Sequence, residues 1–274
     1  MIHKFYVFIT SSAPQLRKHA LRFAYNVMSR FIFSEEPIVF LNYGYADDNT
    51  EIFLENLKAR DRGDHLPIRL YSRLLDGVPI ADKRVLDVGC GRGGGSSYIA
   101  RYLRPAEVVG VDYSTRSIAF CNRHHKVDNL QFCVGDAENL GFKPNSFDVI
   151  INVESSHAYR DELAFFASAR RILAPDGLLC LCDVRPSHRL VDFERKIDES
   201  GLQLVWRSDI STNVLRALRL GSESRSQMIR QTFPKVMQQS VFDWAGVEGG
   251  TVARSLADGS RSYVACVLKK PPKR

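Results

Sequence analysis

Val85-Leu86-Asp87-Val88-Gly89-Cys90-Gly91-Arg92-Gly93-Gly94-Gly95-Ser96-Ser97 passes from an apolar run through a cluster of glycines into small residues. A buried strand, a tight turn and a helix start are expected in that order. Glycine supplies the left-handed backbone and the close approach that such a turn needs. In an α/β sheet, this arrangement brings bare backbone N–H groups up to a nucleotide-like cofactor. A plainer alternative is that the glycines only let a helix pack closely on a strand. Their concentration in one turn after a hydrophobic strand weighs against it.

From Lys83 the chain has a regular rhythm. Strands are expected over 84–88, 107–112, 130–134, 147–153 and 178–183, with helices over 94–103, 117–125 and 161–173. Ser114 is positioned as a helix N-cap, and Pro175-Asp176-Gly177 closes the third helix. After Pro186 the rhythm breaks. Helices are expected over 190–200, 213–220 and 222–239, and strands over 202–207 and 261–268. The fold class is therefore α/β: a doubly wound, mostly parallel, seven-stranded Rossmann-like sheet with helices on both faces. Upstream, Pro14 to Phe33 has the spacing of a basic, aromatic-rich amphipathic helix, and Pro37 to Asp48 is a short apolar run ending in a glycine-hinged loop. Neither fits the sheet-and-helix repeat. Residues 1–70 are expected to form a lid, and 71–274 the core, with a helical cap insertion over about 187–250.

Composition narrows the class. The chain of 274 residues can bury one large α/β core, or one core with a cap. No run approaches the ~18 apolar residues of a membrane span, and the apolar start is too short for a signal peptide. A cytoplasmic protein is expected. The six cysteines have no paired spacing, and no metal-ligand set occurs, so no metal site is expected. The net charge of +7 is scattered, apart from the Lys269-Lys270-Pro271-Pro272-Lys273-Arg274 tail. Nucleic-acid binding is not expected, and membrane contact would be peripheral at most. A homodimer stays open.

Two cofactor patterns overlap in the turn. Gly89, Gly91 and Gly94 satisfy the dinucleotide spacing G-x-G-x-x-G. Asp87, Gly89, Gly91 and Gly93 satisfy D-x-G-x-G-x-G, which resembles the class I S-adenosylmethionine-dependent methyltransferases. Electrostatics separates them. A pyrophosphate beside Asp87 would be repelled, whereas a sulfonium and an ammonium tolerate an acidic neighbour. Asp112 follows Gly93 by about 20 residues, the spacing of a carboxylate that accepts from ribose hydroxyls, and Tyr113 joins it. Asp136 can accept from an adenine amino group while the Ala137 backbone faces the ring. Asn152 ends the next strand. The loop Glu154-Ser155-Ser156-His157-Ala158-Tyr159 then lies where a transferable methyl would point. His157 has the intrinsic pKa of a general base, needed only if the acceptor must lose a proton. Asp183 could orient it or the substrate. Glu154 could act similarly, or only brace the loop.

These motifs, with Val39-Phe40-Leu41-Asn42-Tyr43-Gly44-Tyr45 and Asp183-Val184-Arg185-Pro186, resemble mycobacterial-type lipid methyltransferases. The resemblance is to the phthiotriolone/phenolphthiotriolone dimycocerosate methyltransferases and the fatty-acid O-methyltransferases, and it runs from about Ala24 to Leu268. It implies O-methylation of a hydroxyl or carboxyl on a small hydrophobic substrate, with S-adenosyl-L-methionine as cofactor. It also implies that Tyr71 helps hold the cofactor's amino-acid end. Tyr43 and Tyr45 of the lid, with Phe31, Phe33 and Tyr159, are the candidate substrate residues. Arg92 and Ser72 stand where those enzymes usually carry histidine, and 49–64 is more charged than its counterpart. N- or C-methylation, and a cofactor-binding module without transfer, are the alternatives.

Overall fold

The computed structural model describes residues 38–272. The helix expected over Pro14 to Phe33, with Phe31 and Phe33, lies outside the described residues. Seven strands form one sheet: β1 (Arg84–Val88), β2 (Glu107–Asp112), β3 (Leu130–Val134), β4 (Phe147–Val153), β5 (Leu173–Pro186), β6 (Gln203–Asp209) and β7 (Arg261–Lys269). Their spatial order is β3-β2-β1-β4-β5-β7-β6. The first five pair in parallel, and β7 runs antiparallel between β5 and β6.

Period-two alternation assigns the strand side chains to two layers. Val85, Val108, Ile151, Cys180 and Cys182 face one apolar layer. Leu86, Val109, Ile150, Leu179 and Leu181 face the other. The first layer is closed by α2 (His65–Leu74), α3 (Gly94–Tyr102) and α4 (Thr115–His124), the second by α5 (Glu162–Ile172) and α6 (Leu190–Glu199). Ser114 caps α4 by accepting from the Ser117 N–H, and Asp161 caps α5 in the same way. The start of β1 is tied to β4 by Arg84, whose guanidinium pairs with Asp148 at 2.8 Å.

Four differences from the sequence expectations stand out. Helix α1 (Thr50–Glu55) falls in the stretch expected to form lid helices, whereas α2, which crosses residue 70 into the core, and α10 (Thr251–Ala257) differ from the expectation. The helix expected over 222–239 is two, α8 (Ser222–Thr232) and α9 (Lys235–Trp244), because Pro234 interrupts it. β5 begins at Leu173, with an irregular register against β4 where the expected Pro175-Asp176-Gly177 stop lies; Asp176 there has φ +60°. The stretch read as cap, 187–250, contains core elements: Phe193 and Ile197 of α6 are buried, and β6 pairs with β7. Within that stretch, α7 (Ser211–Leu220) to α9 stand outside the sheet-and-helix repeat, and α10 follows them.

Strand order reverses between β1 and β4. Ligands in such sheets bind beyond the carboxyl ends of the strands at that reversal. The glycine turn follows β1, and 154–159 follow β4.

Candidate active site

The turn has the expected backbone but not the expected donors. Gly89, Gly91 and Gly93 have φ of +76°, +55° and +80°. A Cβ on Gly89 would lie 2.0 Å from Ser155 Oγ, and one on Gly95 would lie 2.0 Å from the Tyr71 ring. The N–H groups of Gly89 and Cys90 donate to the Val111 carbonyl, that of Gly91 to Asp112 Oδ2, that of Gly93 to Cys90 and that of Gly94 to Val39. These donors are consumed within the protein, which corrects the expectation of bare N–H groups. A pyrophosphate would find little to bind here.

What the turn offers instead is acceptors. Asp87 is fully buried and takes a 2.6 Å hydrogen bond from Ser96 Oγ on Oδ2, while Oδ1 has no partner among the described residues. Burial pushes its carboxyl up to about 7. Asn152 is also fully buried; its Nδ2 donates to the Val88 carbonyl and to the Tyr159 hydroxyl, and its Oδ1 has no partner among the described residues. Buried acceptors left unpaired are costly, and a ligand bringing donors and positive charge relieves them. The residues therefore fit S-adenosylmethionine, whose sulfonium and ammonium are cationic, and fit a phosphate poorly.

Asp112 has a structural task at Ser114, the plain alternative to ribose binding, and a second one at Gly91 that sequence spacing does not reveal. Its Oδ2 accepts from the Gly91 N–H and its Oδ1 from the Ser114 N–H. Burial pushes this carboxyl up to about 6. Tyr113 beside it is exposed. Asp136 accepts from the Glu138 N–H, and Ala137 packs on the second apolar layer. Tyr71 lies buried against Gly95, edge-on to Phe40.

Beyond β4, His157 Nδ1 is 2.7 Å from Asp183 Oδ1 at the end of β5. Desolvation works against the imidazolium, but the Asp183 carboxylate outweighs it and holds the His157 pKa above its ordinary value. Asp183 is completely buried. Burial alone would raise its carboxyl, and His157 and Arg185 reverse this, holding it down at about 2. Asp183 Oδ2 accepts from Ser156 Oγ and from the His157 N–H. Arg185 donates to Ser156 Oγ and pairs with Glu162, and its guanidinium stacks 3.8 Å from the Phe193 ring centre. Ser156, Arg185 and Glu162 were missed by sequence reading; only Arg185, two residues beyond Asp183, offered a signal.

Glu154 has φ +48°, and one of its oxygens accepts both the Tyr43 N–H and the Tyr263 hydroxyl, each at 2.8 Å. Burial pushes its carboxyl up to about 7. The segment carrying Val39 and Tyr43 thus crosses from the glycine turn to the end of β4. Tyr45 is buried in the first apolar layer and anchored to the Leu66 carbonyl. Tyr159, read as a substrate residue, instead joins Asn152 and Ser155 beneath the glycine turn.

Sheet order and an acceptor-lined switch point define a Rossmann-like methyltransferase of the class that uses S-adenosylmethionine. Residues 80–239 match the family model described as a methyltransferase domain, and the chain belongs to that family. It is 34% identical over 262 residues to the phthiotriol/phenolphthiotriol dimycocerosates methyltransferase of Mycobacterium leprae (strain TN), covering 96% of this chain and 95% of that one. It is 33% identical over 230 residues to the fatty-acid O-methyltransferase of Mycolicibacterium smegmatis, covering 84% and 81%. Among solved structures, the geranyl diphosphate C-methyltransferase of Streptomyces coelicolor A3(2) is similar in fold, with TM-score 0.62, 19% identity and coverage of 89% and 97%. So is the [4+2]-cyclase SpnF, with TM-score 0.65, 17% identity and coverage of 91% and 94%. That one fold carries such different names is why the acceptor must be argued from the site.

Proposed function

We propose that this enzyme methylates a hydroxyl or carboxyl oxygen on a hydrophobic small molecule: a lipid, a polyketide or another secondary metabolite. The observation that carries this is the pair of His157, just beyond the end of β4, with Asp183, inside the C-terminal part of β5. The relatives named for phthiotriol dimycocerosates and for fatty acids support a lipid-like acceptor.

Asp87, Asn152 and Tyr71, with the backbone of Gly89, Gly91 and Gly93, would hold the cofactor's amino-acid end. Asp112 and Tyr113 would hold the ribose, and Asp136 and Ala137 the adenine. When bound, S-adenosylmethionine supplies an electrophilic methyl group on a positively charged sulfur. The protein aligns the acceptor and excludes water. With Nδ1–H donated to Asp183, His157 presents Nε2 to take the proton of a hydroxyl acceptor. Asp183, kept ionised, stabilises the imidazolium that forms. Ser156 and Arg185 hold Asp183 in place. Glu154 braces Tyr43 against the core.

In this reading the lid is the part of 1–70 that precedes α2, since α2 itself belongs to the core, and α7 to α10 form the far wall of the acceptor chamber. Tyr43 would line the same chamber; Tyr45 is taken up by the core, and Phe31 and Phe33 lie outside the described residues. No described helix is long and apolar enough to cross a membrane. The scattered positive charge supports peripheral membrane contact at most, a cytoplasmic setting suits the reading, and it needs neither nucleic acid nor a second copy.

The test is transfer of a labelled methyl from S-adenosylmethionine to matched long-chain alcohols, phenols, carboxylic acids and amines. Methyl ethers or methyl esters are expected. Label found only on nitrogen or carbon refutes the proposal.

A further inference from the structure

Asp183 sits between two cationic side chains. His157 Nδ1 is 2.7 Å from its Oδ1, whereas Arg185 Nη2 stands 3.9 Å from its Oδ2, beyond hydrogen-bond reach. Ser156 fills that gap: Arg185 Nη2 donates to Ser156 Oγ at 2.7 Å, and Ser156 Oγ donates to Asp183 Oδ2 at 2.7 Å. A guanidinium is the stronger rival for a carboxylate, because it stays charged at every working pH and offers a fork of donors. One donor of Arg185 is uncommitted: its Nε is buried and has no hydrogen-bond partner among the described residues.

Glu162, the first residue of α5, holds Arg185 from the other side. Its Oε1 accepts from Arg185 Nη1, and its Oε2 accepts from Lys196 Nζ of α6 at 2.9 Å. The Phe193 ring lies against the guanidinium plane. His157, Asp183, Arg185, Glu162 and Lys196 thus form a chain of alternating charge from the loop after β4 through β5 and α5 to α6. Glu154, from the end of β4, also faces His157 through space. We propose that Glu162 is a positioning residue for methyl transfer: it holds the Arg185 guanidinium off Asp183 and so keeps that carboxylate for His157. This rests on the O-methylation reading above and assigns the support of its base. Both Glu162 and Arg185 act through Asp183. Without Glu162, Arg185 pairs directly with Asp183 and neutralises it. His157 then loses the anion that favours its protonated form, and its pKa falls.

The experiment compares wild type, E162Q, R185Q and E162Q/R185Q as full chains. His157 is titrated by NMR of isotope-labelled histidine in the S-adenosylhomocysteine-loaded enzyme, with H157Q identifying its signal. Steady-state methyl transfer to hexadecan-1-ol is measured alongside. In E162Q the His157 titration should move to lower pH. Its kcat at the alkaline plateau should fall by about 10- to 100-fold, part of what a general base supplies. KM and S-adenosylhomocysteine affinity should stay within about 2-fold, the pattern of a loss confined to the transition state. Removing the rival should undo this. E162Q/R185Q should return the titration to the wild-type position or above it and recover most of the lost kcat, and R185Q alone should move the titration to higher pH. An unmoved titration in E162Q, or a double variant no better than E162Q, would overturn the assignment. The E162Q titration decides by itself if the variants lacking Arg185 do not fold. Titrations that move as expected, with methyl transfer found only on nitrogen or carbon, would defeat the O-methylation reading alone.

Discussion

His157 Nδ1 and Asp183 Oδ1 are 2.7 Å apart, although His157 follows β4 and Asp183 lies within β5, with α5 between them along the chain. In the proposed mechanism, that hydrogen bond makes Nε2 the proton acceptor and sets the pH range for a hydroxyl acceptor. His157→Ala should lower turnover of a hydroxyl acceptor by about 100- to 10,000-fold, with little change for a carboxylate. Because Asp183 raises the His157 pKa, wild-type activity on the alcohol should rise with pH through a value above the ordinary 6.5. In Asp183→Asn this limb should move to lower pH. A pH profile of kcat that is the same in both enzymes would remove the pairing from the mechanism.

The same pair makes stability depend on pH. Asp183 is held at about 2 against an ordinary 3.8, so its contribution is present above about pH 4 and fades as pH falls toward 2. His157, raised in the folded state, contributes fully below its ordinary pKa and loses this as pH rises through its folded value. Thermal melts of wild type and Asp183→Asn should therefore converge between about pH 4 and 2. Parallel curves throughout would contradict this.

Asp87 behaves in the opposite sense. Its carboxyl is pushed up to about 7, so the folded state holds a proton that the unfolded chain has lost, and stability falls as pH rises from 3.8 to about 7. Asp87→Asn should raise the melting temperature of the ligand-free enzyme at pH 8, yet weaken S-adenosylmethionine binding. A cationic ligand favours the carboxylate, so binding by wild type near pH 7 should release protons. Calorimetry in buffers of different ionisation enthalpy reads this directly; proton uptake would count against a carboxylate partner for the cation.

Gly89 separates two costs of substitution. Gly89→Ala meets both a φ of +76° and a Cβ 2.0 Å from Ser155 Oγ, so cofactor binding should be lost and Ser155→Gly should restore part of it. Gly259→Ala, at φ +75° with open space around it, should cost only the backbone strain, about 1–2 kcal/mol by denaturant titration. Equal effects of the two would mean that crowding against Ser155 is unimportant.

Asp112 joins two roles that a single truncation confuses. Asp112→Ala would strand the Gly91 and Ser114 N–H groups, at about 1–3 kcal/mol each if they stay buried. Asp112→Asn keeps one acceptor oxygen and is the cleaner probe. It should weaken S-adenosylhomocysteine by about 10-fold while changing the melting temperature less than the alanine variant. Unchanged affinity in both would leave Asp112 as a turn-bracing residue only.

Much of this was legible along the chain. The turn from Asp87 to Gly95, the strand ends at Asp112 and Val153, and the cap at Ser114 were read correctly, since glycine's backbone freedom, apolar alternation and capping chemistry act between near neighbours. The break at Pro234 was equally local, yet the apolar spacing across it masked the proline.

Other features depended on distant groups meeting. Nothing near Gly91 shows that its N–H is taken by Asp112, or near Tyr43 that its two peptide groups join Glu154 and Arg225. Sequence alone determined the class of sheet and the cofactor turn, because these follow from short-range backbone and burial preferences. Tertiary structure alone decided which buried acceptors among the described residues stay unpaired and which imidazole nitrogen meets Asp183. Such outcomes depend on hydrogen-bond accounting across strands and helices far apart in the chain.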